Sequence, residues 1–159
     1  MKKFGTKALV YNALIASVYA ALSMFLPMLS YGVMQLRFGE ALTILPALLP
    51  YSYVGLTIGC FVANTISPFG IADMLIGSCV TLLAGILTSR IRKPLLAALP
   101  PILLNAAILP IVWYFAGGDA AYLTNALSLL VSQSLVIYVL GVPLYYIGKK
   151  YLFPENLTK

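Results

Sequence analysis

Apolar segments fill most of the chain, and short groups of glycine, proline and polar residues interrupt them. The interruptions lie around Gly32, at Pro50, at 67–70, at 90–93 and at 117–119, and their residue types are typical of breaks between helices. They predict six helices, at about 8–29, 36–49, 52–66, 71–89, 98–115 and 122–148. We therefore expect an all-α bundle.

The second and third predicted helices are short. A helix needs roughly 20 residues to cross a hydrocarbon core about 30 Å thick. Short or proline-interrupted helices are tolerated in a membrane where they line a cavity, because groups other than lipid satisfy their backbone. These two helices are therefore expected to border a cavity.

The composition is that of a membrane protein. Of the 159 residues, 62% are hydrophobic and 9% are charged, and the mean hydropathy is +0.98. We predict one integral membrane domain, residues 1–159. The chain has no histidine, and Cys60 and Cys79 lie singly in apolar segments, which favours packing roles over a disulfide or a metal site.

The net charge of +6 is concentrated in three places. Nine of the ten basic residues are Lys2, Lys3 and Lys7, then Arg90, Arg92 and Lys93, then Lys149, Lys150 and Lys159. Basic residues that flank apolar spans stay on the cytoplasmic side. Both termini and the segment 90–93 are therefore predicted to be cytoplasmic, in a multi-pass protein of the cytoplasmic membrane. This distribution does not favour nucleic-acid binding.

Polar residues inside the helices converge on the outer half of the membrane. Neighbouring helices run in opposite directions, so residues far apart along the chain reach the same level. They are Arg37, Glu40, Asn64, Asp73, Asn105, Trp113 and Gln133. Ionisable groups inside a bilayer are costly and usually functional. This convergence predicts a substrate pocket that opens outward.

The same residues also have structural interpretations. These are an ion pair between Arg37 and Glu40, capping of a helix by Asp73, and hydrogen bonds within or between helices by Asn64, Asn105 and Gln133. Aromatic residues at this level either form an interfacial belt or stack on a flat ligand. They are Tyr31, Phe38, Phe69, Trp113, Tyr114 and Tyr122.

Small residues recur every four positions along the first helix. They are Ala13, Ser17 and Ala21, with Ala16 and Ala20 beside them. This spacing lets another helix approach closely. The approaching helix belongs either to this chain or to a separate membrane subunit.

Signs of catalysis are missing from the sequence. The chain has no phosphate-binding Gly-rich loop with Lys-Ser/Thr, no zinc motif and no nucleophile paired with a base. We expect it to be neither an enzyme nor an ATPase, and to need no cofactor.

Five segments resemble the QueT family, in order and over nearly the whole chain. They are 33–42 (VMQLRFGEAL), 59–64 (GCFVAN), 73–78 (DMLIGS), 99–105 (LPPILLN) and 139–144 (VLGVPL). QueT proteins are substrate-binding S-components of energy-coupling factor (ECF) transporters, a bacterial class of vitamin importers. The resemblance implies six transmembrane helices, cytoplasmic termini, one transmembrane coupling subunit and two ATPase subunits. It also implies docking through an Ala-xxx-Ala motif, matched here by Ala16 and Ala20.

The implied substrates are 7-deazaguanine precursors of queuosine: the aminomethyl base, the cyano base or queuine. We expect Glu40 to accept the two adjacent donors of the guanine edge, and Asn64, Asn105, Gln133 or Arg37 to donate to its carbonyl. Arg37 alternatively holds Glu40 ionised. We expect Asp73 to pair with a ligand ammonium, so that cationic bases bind more tightly, and a loop with Tyr31 and Gly32 to act as a lid.

Three alternatives remain open. The chain is an S-component for another purine-like vitamin, a stand-alone secondary transporter coupled to protons through Asp73 or Glu40, or a small membrane enzyme.

Overall fold

The computed structural model describes residues 5–25, 27–30, 35–117 and 121–152. They form six helical spans, and none of them lies in a strand. The spans are α1 (Thr6–Phe25, with a further turn at Pro27–Ser30), α2 (Phe38–Ala47), α3 (Pro50–Ser52, Tyr53–Ala63 and Asn64–Ile66), α4 (Gly70–Thr88), α5 (Pro94–Ala116) and α6 (Tyr122–Tyr151). The predicted all-α fold is confirmed.

Four of the spans, α1, α4, α5 and α6, are long and apolar enough to cross a membrane. Many of their large apolar side chains are exposed, among them Leu9, Phe115 and Leu123. Exposed apolar side chains in this number are favourable where lipid is the solvent. The protein is therefore a multi-pass membrane protein. The boundaries differ from the predicted ones by a few residues, most at α5, which begins at Pro94 rather than near residue 98; a proline suits the first turn of a helix.

Helix α2 is the central helix, and it is a 3₁₀-helix rather than an α-helix. Every residue from Gly39 to Pro46 is buried. A 3₁₀-helix rises about 2.0 Å per residue, so ten residues reach about 20 Å instead of about 15 Å. This extended form lets a short segment span more of the bundle than an α-helix of the same length would.

Helix α1 packs against α2 and α3 at glycines, which allow very close approach. A Cβ atom at Gly59 would lie 2.8 Å from the carbonyl oxygen of Ala16 and 2.9 Å from Cβ of Tyr19. Further along the same contact, the backbone N–H of Gly55 donates to Oδ1 of Asn12 at 2.6 Å. The spacing of small residues in α1 is thus used, in part, for packing within the chain.

Contacts between helix ends show that α4 and α5 run in opposite directions and that α6 ends beside the segment that joins them. The hydroxyl of Thr88, at the end of α4, donates to the carbonyl of Ala97, near the start of α5, at 3.1 Å. The hydroxyl of Tyr145 in α6 donates to the carbonyl of Arg92 at 3.3 Å. The basic segment 90–93 and the late part of α6 therefore share one end of the bundle, as the charge clusters predict. Its cytoplasmic location stays a prediction.

We predict that Gly59→Ala destabilises the protein by about 1–3 kcal/mol, because the new methyl group would overlap the backbone of α1. The measurement is thermal unfolding in detergent. Gly5→Ala is the matched control, since no atom lies within 4 Å of a Cβ atom at Gly5. Equal stability of the two variants would contradict the close packing of α1 on α3.

Candidate functional site

The seven residues predicted to bind substrate are all buried. None of them is more than 3% exposed, and Asp73 is not exposed at all. They are Arg37, Glu40, Asn64, Asp73, Asn105, Trp113 and Gln133. Most of them belong to two hydrogen-bonded groups, one around Asp73 and one around Glu40.

Asp73 is the centre of the first group. Its Oδ2 atom forms a salt bridge with Nη2 of Arg37 at 3.1 Å and accepts a hydrogen bond from the hydroxyl of Ser67 at 2.7 Å. The indole N–H of Trp113 lies 3.4 Å from Oδ1. Both carboxylate oxygens thus have partners within the protein.

Asn64 connects the two charged residues of this group. It accepts from Nη1 of Arg37 at 3.3 Å, and its amide donates to the carbonyl of Asp73 at 3.0 Å. The absence of a side chain at Gly77 makes room for this amide, because a Cβ atom there would lie 2.8 Å from Nδ2 of Asn64. The backbone from Asp73 to Gly77 is a π-helix, a distortion that is frequent at functional sites.

The Asp73 group joins the ends of five helices. Arg37 immediately precedes α2, Asn64 lies in the last turn of α3, Asp73 in the first turns of α4, and Trp113 near the end of α5. The Nε atom of Arg37 also donates to the carbonyl of Ser30, at the end of α1, at 3.3 Å. Four of the predicted residues, Arg37, Asn64, Asp73 and Trp113, therefore lie together at one end of the bundle.

Trp113 lies inside the bundle rather than in an interfacial belt. Its ring stacks on Phe69, with centroids 5.1 Å apart and an angle of 16° between the planes. It also packs among buried residues of α5 and α6, including Leu129. One face of the indole is consequently covered by the protein itself.

Glu40 is the centre of the second group. The hydroxyl of Tyr19 donates to its Oε1 atom at 2.6 Å, and Asn105 lies beside the carboxylate. The Oε2 atom is buried and accepts no hydrogen bond from any residue that the structure describes. Glu40 is therefore a buried acceptor with capacity to spare.

Cys60 lies between the two groups. Its sulfur accepts from Asn64 at 3.5 Å and from Thr81 at 3.3 Å. It is buried and unpaired, whereas Cys79 is exposed and unpaired. Within the described ranges, no three carboxylates, thiols or imidazoles come together as a metal site.

The pairing of charges differs from the expected one. Arg37 pairs with Asp73 and not with Glu40, although Glu40 is only one helical turn away. Asp73 is also held by Ser67 and Trp113, so this arrangement does not favour the expected pairing of Asp73 with a ligand ammonium. The carboxylate without an ion pair, among the described residues, is Glu40.

Gln133 is a second buried acceptor without a donor. Its Oε1 atom is buried and accepts no hydrogen bond within the described part of the chain. Gln133 lies on α6, which packs against α2 so closely that a Cβ atom at Gly141 would lie 2.7 Å from the carbonyl oxygen of Ala41. Two helices in contact thus each carry an unsatisfied buried oxygen.

Three participants in these groups are not among the predicted site residues: Tyr19, Ser67 and the carbonyl of Ser30. Ser67 lies in a segment that the sequence predicts to be a turn. The backbone carbonyl of Ser30 could not be predicted, because every residue has one. In the sequence, Tyr19 does not differ from other tyrosines that lie in apolar helices, so its role could not be predicted.

The five small residues of α1 face two ways. Ala13, Ser17 and Ala21 are exposed, while Ala20 is buried and Ala16 is half-buried against Gly59 of α3. The small residues assigned to the Ala-xxx-Ala motif thus pack within this chain. Docking to another subunit stays a prediction. The exposed trio, Ala13, Ser17 and Ala21, is the part of the small-residue pattern that is not covered by this chain. Tyr31 and Gly32, the expected lid, lie outside the described residues.

Neutralising the two carboxylates is expected to change the stability of the protein by very different amounts. Asp73→Asn deprives buried Arg37 of its salt bridge and should destabilise the ligand-free protein by about 3–5 kcal/mol. Glu40→Gln removes a carboxylate that has no ion pair among the described residues, and glutamine can still accept from Tyr19, so the change should stay below about 1 kcal/mol. Thermal unfolding of both variants checks this, and equal losses would contradict the assignment of charges.

The chain is similar to one known family. The family model described as QueT transporter matches residues 9–150, which is most of the chain and includes every residue of both groups. No curated protein and no solved structure matches. Because the match covers nearly the whole length, the chain belongs to the QueT transporter family.

Proposed function

We propose that this chain is the substrate-binding S-component of an ECF-type importer and that it captures a 7-deazaguanine precursor of queuosine from outside the cell. The family, which transports queuosine precursors, supports the substrate class. The sequence has no phosphate-binding motif for ATP, and in the proposed importer the ATP-driven movement of the base comes from partner subunits. These are a transmembrane coupling subunit and two cytoplasmic ATPase subunits, in a bacterial cytoplasmic membrane.

The free oxygen of Glu40 is the observation on which this proposal rests. A buried polar atom without a partner costs roughly 1–3 kcal/mol, and a charged one costs more. A bound guanine edge presents two adjacent N–H donors, at N1 and at the exocyclic amine. Oε2 can accept one, and Oε1 can accept the other beside Tyr19, because each carboxylate oxygen has two lone pairs.

The ring carbonyl of the base requires a donor, and two amides are the best candidates. Arg37 and Asn64 are engaged with Asp73, which leaves Asn105 beside Glu40 and Gln133 on α6. An amide both donates and accepts, so Gln133 suits a base that presents both kinds of group. Phe69 covers one face of the Trp113 ring, so the ligand could contact Trp113 only at the other face.

The charge of the site favours a cationic base. Arg37 supplies one positive charge, and Asp73 and Glu40 supply two negative charges, so the ionised site carries a net charge of −1. A buried charge without compensation is unfavourable. The aminomethyl base and queuine carry an amine cation that balances this charge, whereas the cyano base does not. The compensation does not require direct contact with Asp73.

A stand-alone proton-coupled transporter is the second candidate, and the same carboxylate favours it. Glu40 is a buried carboxylate that has no ion pair with any residue described by the structure, and such carboxylates are typical proton-coupling groups in membrane proteins. Liposomes that contain this chain alone distinguish the two. Uptake of the base driven by a pH gradient, without ATPases, would favour the second candidate.

We expect Glu40→Gln to weaken binding of the aminomethyl base roughly 10- to 100-fold, because a hydrogen bond to a carboxylate is lost and an amide N–H would face the donors of the base. Calorimetric titration of the purified protein measures the effect. The unmodified protein should also prefer this base, by about tenfold or more, over an analogue that keeps the aminomethyl group but lacks the exocyclic amine next to N1.

Glu155→Gln is the matched control, since it makes the same change at the other glutamate, near the C-terminus. It should leave binding unaltered. Unchanged affinity in the Glu40 variant would contradict the proposed role of Glu40. Binding of another purine or a pterin, but of no deazaguanine, would favour an S-component for a different vitamin.

Docking of the coupling subunit is expected on the exposed trio of α1. Ala13→Leu combined with Ala21→Leu should leave base binding intact and abolish ATP-driven uptake in liposomes that contain the complete transporter, because leucines prevent close helix approach. Leucines at Ala16 and Ala20 would instead disturb packing inside the chain.

Ala107→Leu is the matched control, because Ala107 is an exposed alanine on α5. Normal uptake in this control with loss in the double variant supports docking on α1. Normal uptake in both would exclude the exposed trio as the docking face.

A further inference from the structure

We infer that Tyr19 of α1 is a positioning residue that fixes the Glu40 carboxylate in the orientation that recognises the base; this inference rests on the proposed function. Tyr19 is 1% exposed, and its hydroxyl donates to Oε1 of Glu40 at 2.6 Å. At this distance the hydrogen bond to a carboxylate is a short one.

Two glycines hold the body of Tyr19 in place. A Cβ atom at Gly59 of α3 would lie 2.9 Å from Cβ of Tyr19, and a Cβ atom at Gly39 of α2 would lie 2.8 Å from its backbone oxygen. The residue is thus enclosed between two helices that approach α1 where no side chain intervenes. Its ring has little freedom to move, and the hydroxyl therefore has a fixed position.

The contact with Tyr19 makes the two carboxylate oxygens of Glu40 different from each other. Tyr19 occupies one lone pair of Oε1, while Oε2 has no donor among the described residues. A carboxylate without this contact can rotate about its terminal torsion, which is broad for glutamate. With Tyr19 in place, the free oxygen keeps one direction before the ligand arrives. Such preorganisation raises the affinity for the ligand, because the side chain loses less conformational freedom when the ligand binds.

The position of the neighbouring charge supports the same conclusion. Arg37, the buried cation nearest in sequence to Glu40, forms its salt bridge with Asp73. A hydroxyl from α1 therefore does what an arginine commonly does for a buried carboxylate. Unlike an arginine, it leaves the negative charge available to the ligand.

Tyr19→Phe tests this inference, because it removes the hydroxyl and keeps the ring. Affinity for the aminomethyl base should fall about tenfold, while affinity for the analogue without the exocyclic amine should change little. In the Glu40→Gln background the same substitution should have no further effect on the preference between the two bases. This non-additivity is what a residue acting through Glu40 produces.

Tyr145→Phe is the matched control, since Tyr145 is also buried and its hydroxyl also donates within the chain, at the opposite end of the bundle. It should leave the preference between the bases unchanged. An equal loss for both bases in the Tyr19 variant, or a preference equal to that of the unmodified protein, would overturn the inference and assign Tyr19 a packing role.

Infrared spectroscopy of the ligand-free protein provides a test that does not depend on the substrate. The chain has two glutamates, Glu40 and Glu155, so isotope-labelled glutamate and the Glu40→Gln difference spectrum isolate the Glu40 band. Tyr19→Phe should shift this band, and Tyr145→Phe should not. An unshifted band would refute the contact itself. A shifted band with no deazaguanine bound would sustain the contact and refute the proposed function.

Discussion

The buried salt bridge between Arg37 and Asp73 is the interaction on which the rest of the site depends. It forms at 3.1 Å between side chains that are almost completely buried. Two charges at this depth are tolerable only when each satisfies the other and further hydrogen bonds complete both. Ser67, Asn64 and Trp113 provide those bonds, and they bring the ends of α3, α4 and α5 to the start of α2.

Because Asp73 takes the arginine, Glu40 remains without an ion pair among the described residues. The site therefore contains one carboxylate with a structural role and one with spare capacity, although the sequence makes them look equivalent. Their environments separate them. Asp73 lies where three donors from different segments meet, whereas Glu40 lies on a central 3₁₀-helix with a tyrosine on one side and an unsatisfied oxygen on the other.

Helix directions and the polar residues they bring together could be predicted from the sequence, because the breaks between apolar segments fix the number of spans. The predicted meeting of Arg37, Asn64, Asp73 and Trp113 is observed for this reason. The pairing among them could not be predicted. One helical turn separates Arg37 from Glu40, and only three-dimensional packing places Asp73 closer. The contact between Tyr19 and Glu40 could not be predicted either, because it is a tertiary contact between residues 21 positions apart.

Helix α1 has two faces with different roles in the proposed function. Its buried face carries Tyr19, which contacts Glu40, and its exposed face carries Ala13, Ser17 and Ala21. The glycine contacts pack α1 tightly against α3. If a partner binds the exposed face and shifts α1, we expect the shift to alter both contacts of α1 with the site, that of the Tyr19 hydroxyl with Glu40 and that of the Ser30 carbonyl with Arg37. Coupling of this kind is reciprocal, so a base bound at Glu40 would in turn change how α1 meets its partner.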